Sequence, residues 1–304
     1  MYQTGRTSKI MRVVRARWQN FWFEPAQPDN LGLCRALFFA GLFLLYLQQD
    51  FSAWSEVGDV FWKPIPVFES LHIPVLPGVW IIVLQNLWKI ALGLSCLGLC
   101  TRLSTALSFV AGFYLLGLPH NFGKIHRYDA IVVIVLGIMA LSRCGDAWSV
   151  DRLLRRAHFS ATARSGEYTW PIKMVWMTLA LVFFGAGVSK LKNSGIAWIN
   201  SDSLSILLIK HYYHYAAEDP VTRWGLTVAR YDRLCRVLAA TTVIFEIGYP
   251  LAIFSKSARW IIVPVTLAML AIVRLIMGPW FYPVMLCHLF WVPWDRVALR
   301  LRLR

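Results

Sequence analysis

"PIKMVWMTLALVFFGAGVSKLK" (residues 171–192) decides how the chain is to be read. Between Lys173 and Lys190 it carries no charge, and the apolar run approaches the about 20 residues that a helix needs to cross a bilayer. It then stops abruptly at Lys190, with Lys192 following. Two readings of Lys190 stand. A lysine at the end of a membrane helix can snorkel to the headgroups as an anchor. A lysine held where water is scarce loses part of the penalty for being neutral, and can act as a base.

The rest of the chain repeats this pattern. Of its 304 residues 58% are hydrophobic and 15% charged, whereas soluble domains carry about a quarter charged residues. Mean hydropathy is +0.53. These values describe an all-α membrane protein and exclude an ordinary soluble domain. Eight spans are expected, at about 31–48, 76–99, 103–118, 126–142, 171–188, 237–254, 260–277 and 280–294, the fourth and eighth being short. The segment 200–216, "SLSILLIKHYYHY" within it, is half apolar and too short to cross. It reads as a re-entrant or interfacial helix.

Loop charges orient this polytopic bundle. The formal net charge of +15 suits cytoplasmic loops and an anionic lipid surface better than nucleic acid, and no nucleic-acid partner is expected. Residues 1–30 form a basic amphipathic arm, with Arg12, Arg15 and Arg17 beside Trp18 and Trp22. Residues 31–295 form the transmembrane domain and 296–304 a basic tail. The arm, the loop with Arg143, Arg152, Arg155, Arg156 and Arg164, the Lys256–Arg259 turn and the tail all belong inside. The loop with Asp50, Glu56, Asp59 and Glu69 belongs outside. Both termini are therefore cytoplasmic, and the 189–236 segment faces outward.

An ionisable group at the centre of a membrane helix costs about 2.5–3.5 kcal/mol even on the gentlest insertion scale. Such groups are the first candidates for function. Arg35 reads as a snorkelling side chain. Lys89, Glu246 and Arg274 read as partners in interhelical ion pairs. His288, alone on an apolar segment, reads as a core histidine. Lys190 with His126, at an outer helix end by this topology, is a candidate proton-transfer pair, and Arg127, Asp129, Trp198 and Glu246 are candidates for substrate binding. The six cysteines show no disulfide or zinc spacing, and no metal is expected.

Three blocks, in order, resemble a known family. "KIHRYDAIVVIVLGIMALSRCGDAWSVDRLL" (124–154), "LVFFGAGVSKL" (181–191) and Trp198 are similar to the membrane domain of vitamin K-dependent gamma-carboxylase. They are equally similar to its bacterial relatives, the horizontally transferred transmembrane (HTTM) domain proteins. The resemblance covers roughly residues 15 to 295. In the carboxylase a lysine of the "AG-x-x-KL" block deprotonates vitamin K hydroquinone, and that lysine falls on Lys190. A histidine implicated in the chemistry of the carbanion falls on His126.

The resemblance thus implies a lysine-base enzyme acting on a reduced quinone, vitamin K or menaquinol, or on another lipid-soluble weak acid. The large lumenal domain of the carboxylase has no counterpart in this sequence, so carboxylation of a glutamate is not expected. The other reading that the resemblance implies is a non-catalytic module of a bacterial peptide maturation or secretion system, working with separately encoded partner proteins and membrane lipids. The bacterial inner membrane is the expected location.

Overall fold

The computed structural model describes residues 12, 15–123, 128–154, 164–200, 202–215, 224–279 and 281–297, with the backbone alone at Asp59, His214 and Tyr215. Among these residues the structure is helical, without a strand; Ala26 and Ser165 form an isolated bridge. Five helical segments are long and apolar enough to cross a membrane: Pro28–Tyr46, Gly78–Leu97, Thr101–Phe122, Gly166–Ser194 and Lys256–Met277.

The expected fourth, sixth and eighth spans form shorter helices. Tyr128–Leu141 has 14 residues. Asp232–Gly248 has 17, and Pro250 separates it from a single turn at Leu251–Phe254, because proline lacks the N–H that would continue the ladder. The last segment is Tyr282–Cys287 followed by a 3-10 turn, His288–Trp291.

The chain divides into two compact units, residues 1–175 with 292–304, and residues 176–291. In the first, α1 (Pro28–Tyr46) packs on α2 (Gly78–Leu97), α2 on α3 (Thr101–Gly117), and α3 on α4 (Tyr128–Leu141). Leu31, Phe38, Ile81, Trp88, Leu115 and Val135 are fully or almost fully buried between them. Small residues let α2 and α3 approach closely. Ser95 and Ser108 are fully buried, with their hydroxyls 3.3 Å apart, and Trp88 donates to the Ser108 carbonyl at 2.9 Å.

Loop 142–151 closes one end of these helices. Arg35, expected to snorkel, is instead completely buried and donates from Nη2 to the Trp148 carbonyl. The loop folds over the start of α1 and gives the guanidinium a backbone acceptor inside the protein, while its Nε and Nη1 are buried with no hydrogen-bond partner among the described residues. Trp148 Nε1 donates to Asp29 at 3.1 Å. Asp151 caps α3, accepting from the backbone N–H of Cys100 at 2.8 Å, the N–H of Thr101 at 2.7 Å and the Thr101 hydroxyl at 2.8 Å. It thereby satisfies donors that a helix start leaves open. Lys89, the other mid-span cation of this unit, donates to the Gln49 carbonyl at 3.0 Å.

Asp151→Ala is expected to cost about 1–2 kcal/mol, the range of a lost helix cap. The fall in the thermal unfolding midpoint of detergent-solubilised protein measures it, and Asp151→Asn, which keeps an acceptor, should fall less.

Candidate functional site

The second unit is organised by one face of α5 (Trp170–Ser194). Phe183, Gly187 and Lys190 follow one another at i, i+4 and i+7, the spacing that lines up side chains on a single helical stripe. The unit also contains α6 (Ser203–Tyr215), α7 (Trp224–Ala229), α8 (Asp232–Gly248), α9 (Lys256–Met277) and α10 (Tyr282–Cys287). Leu208 of α6, Cys235 of α8 and Ile276 of α9 meet in a small buried cluster.

Contacts between α5 and the region of α8 run antiparallel. Phe183 stacks on Tyr249 with ring centroids 4.6 Å apart. One turn further along α5, Gly187 is buried so close to α8 that a Cβ there would fall 2.7 Å from Ile247 Cγ1 and 3.1 Å from Glu246 Cβ. Only glycine permits that approach without a shift. Lys190 comes next, and its ammonium donates to Glu246 Oε1 in an ion pair. The Glu246 side chain is 7% exposed and that of Lys190 22%.

The third member arrives by a reversal of the chain. Gly195, with φ +57, takes the left-handed conformation and donates its N–H to Leu191 O at 2.8 Å, ending α5. The single turn Ala197–Asn200 that follows packs against α8, and the Trp198 ring lies with its centroid 5.7 Å from Lys190 Nζ, within cation–π range. Two polar atoms of this group are buried and have no hydrogen-bond partner among the described residues: Glu246 Oε2 and Trp198 Nε1. One is an acceptor and the other a donor, and buried groups of either kind are costly when unmet.

Around Tyr249 every polar atom is satisfied. Trp291 Nε1 donates to its hydroxyl at 3.0 Å. His288 Nδ1 lies 2.9 Å from the Val284 carbonyl, which can only accept, so Nδ1 carries the proton and Nε2 accepts from Tyr249 Oη at 3.1 Å. His288 is therefore the core histidine its surroundings suggested, 2% exposed. Arg259 braces the same corner. Its guanidinium lies 4.2 Å from the Trp176 ring centroid and 5.0 Å from that of Trp291, and donates to the Ala252 and Ile253 carbonyls.

The structure thus brings together three of the expected site residues, Lys190, Trp198 and Glu246. Glu246 pairs with Lys190 and not with Lys89 or Arg274; Arg274 donates to the Gly278 carbonyl at 3.2 Å. Asp129 belongs to the first unit, on α4, 2% exposed and 3.1 Å from His120 Nε2. His120 was not singled out from the sequence, because it precedes the expected span and no charged neighbour flags it. His126 and Arg127 lie outside the described residues. Among the described residues no three His, Cys, Asp or Glu side chains are grouped to hold a metal ion.

Comparison with known families matches residues 23–294 to the HTTM domain, nearly the whole chain. No curated protein and no solved structure matches the sequence.

Lys190→Met strands a buried carboxylate. It is expected to destabilise the protein by about 2 kcal/mol, below the range for fully buried pairs because Lys190 keeps some solvent contact. Adding Glu246→Leu should recover most of that loss. A double-mutant cycle on the unfolding midpoint checks both, and additive losses would mean that the two groups do not interact.

Proposed function

The chain belongs to the HTTM domain family, and from that premise we propose that it is a membrane enzyme whose Lys190–Glu246 pair takes a proton from a lipid-soluble weak acid, a quinol being the preferred substrate class. The observation that carries this reading is the buried Glu246 Oε2 without a partner, beside an ammonium and a buried indole N–H that also lacks one. A hydroxyl satisfies such a group. It donates to the carboxylate oxygen, while a neighbouring oxygen of the same molecule accepts from Trp198.

The chemistry follows from the charges. The pair holds one ammonium and one carboxylate, so its net charge is zero. The Lys190 ammonium passes a proton to Glu246. The amine so formed takes the proton as the O–H bond of the bound acid breaks, and the oxyanion is left against the re-formed Lys190 ammonium. Opposite charge within about 4 Å stabilises that oxyanion far more in an apolar site than in water. Lys190 has two tasks in this account, relaying the proton and stabilising the anion. The resemblance assigns it the first.

The proposal extends to topology. Eight crossings of a bacterial inner membrane, with α4, α8 and the segment 282–291 completing the set, place both termini in the cytoplasm and Lys190 at the outer side. The helix α6 then lies at the interface or re-enters the membrane there. The loop charges support this arrangement.

A second reading has its own support. An ion pair joining two helices is complete without a substrate, and a non-catalytic module that assembles with partner proteins needs nothing more. Arginine separates the two. It keeps the pair and the charge but cannot surrender a proton. With reduced menaquinone or vitamin K, oxygen and bicarbonate supplied to protein in lipid, wild type is expected to form quinone epoxide, read by mass spectrometry. Lys190→Arg and Lys190→Ala should reduce the rate by at least about a hundredfold, as for a lost general base. Lys190→Arg with wild-type turnover would exclude Lys190 as the base. Well-folded wild type without any epoxide would move the assignment to the module.

A further inference from the structure

In the first unit, away from Lys190, a cavity of about 280 Å³ opens where α2 ends, α3 begins and α4 has just ended. Cys100, Thr101, Arg102, Arg143, Asp146 and Asp151 are among the residues lining it. A second, shallower depression of about 60 Å³ is lined by Leu87, Ile90, Leu94, Leu103 and Leu107. The two share Cys100 and Leu103, so the polar cavity continues into an apolar groove between α2 and α3. Leu87, Ile90 and Leu103 are 42%, 59% and 63% exposed, and the groove therefore opens outward. In a membrane protein that outward face meets acyl chains, and the ends of spanning helices lie at headgroup depth.

Most of the hydrogen-bonding capacity left in the cavity is that of donors, with Asp146 Oδ1 the acceptor left open among the described residues. Asp151 is engaged by the start of α3. Asp146 accepts from Arg143 at 3.0 Å and from the Tyr168 hydroxyl at 2.9 Å. Arg102 is exposed and has no partner among the described residues, and Arg143 uses Nε and Nη2 on Asp146 while Nη1 is left over. Two guanidinium groups with spare N–H, one of them already held by Asp146 Oδ2, match a phosphodiester.

We propose that cavity and groove together form a site for one glycerophospholipid, its phosphate held by Arg102 and Arg143 and one acyl chain lying along Leu87, Ile90 and Leu94. Charge complementarity at one end and an apolar trough continuous with it at the other select this ligand over a soluble anion or a neutral lipid.

Native mass spectrometry of delipidated protein tests the assignment, with phosphatidylglycerol, diacylglycerol and inorganic phosphate as separate probes. Phosphatidylglycerol is expected to remain bound, and diacylglycerol, which lacks the phosphate, to bind at least about tenfold more weakly, the equivalent of one charge-assisted hydrogen bond. Arg102→Gln should weaken phosphatidylglycerol by a similar factor and leave diacylglycerol unchanged. Ile90→Trp, which fills the groove without touching the arginines, should also weaken phosphatidylglycerol. Equal binding of diacylglycerol and phosphatidylglycerol, or no effect of either variant, overturns the proposal. Inorganic phosphate that binds as tightly as the lipid and is not displaced by it overturns the proposal in favour of an anion pocket.

Discussion

A carboxylate inside an apolar helical unit has to be paired, and the pairing of Glu246 with Lys190 constrains most of what surrounds it. The two charges meet only if α5 and α8 come closer than ordinary side chains allow, and Gly187 supplies that approach one turn before the lysine. The pair has to keep its register, and the Phe183–Tyr249 stack supplies that one turn earlier still. Tyr249 is in turn fixed by Trp291 and His288, so the helix carrying Glu246 ends in a network with no spare hydrogen bond. Satisfied atoms lie at one end of this stripe and unsatisfied ones at the other.

Two stretches within the blocks that carry the family resemblance do different physical work. "CGDAWSVDRLL" is scaffold. Its Trp148 carbonyl receives buried Arg35, its Asp151 caps α3, and its Asp146 joins Arg143 to Tyr168. "AGVSKL" builds the ion pair. A motif of charged and small residues at a helix end therefore marks a constrained place in the chain, and the kind of constraint shows only in the contacts. Arg35 makes the point from the other side. A buried guanidinium is as costly as a buried carboxylate, yet its partner is a backbone carbonyl and its effect is to hold a loop.

Much of this was legible in the sequence. The five longest helices coincide with expected spans, since uninterrupted apolar length is a local property. Lys190 and Trp198 were both candidates from the sequence, and only the short reversal at Gly195 lies between them. The partner of Glu246 was not legible. It lies 56 residues away in sequence, and periodicity within one helix says nothing about which other helix it faces. Lys89 and Arg274 were the expected partners, and Lys190 was not among them. Arg35 was misread for the same reason, because its acceptor comes from residue 148, 113 positions on. The segments 232–254 and 282–291 carried enough apolar residues to suggest full spans, but Pro250 and the 3-10 turn at 288–291 shorten their helices.

Stability alone is a poor explanation for the Lys190–Glu246 pair. Hydrophobic side chains of similar size are often as good or better in such a place, because the attraction between two buried charges barely offsets their desolvation. The arrangement here forgoes more than that, since Glu246 Oε2 and Trp198 Nε1 are buried beside the pair without partners among the described residues. Arg259, by contrast, spends its hydrogen bonds on two carbonyls and its flat face on two tryptophans, which is how a cation looks when it only braces a fold. A donor and an acceptor left open around an ammonium are the complement of a hydroxyl-bearing apolar molecule. That complementarity separates Lys190 from Arg259, and it favours a base over an anchor.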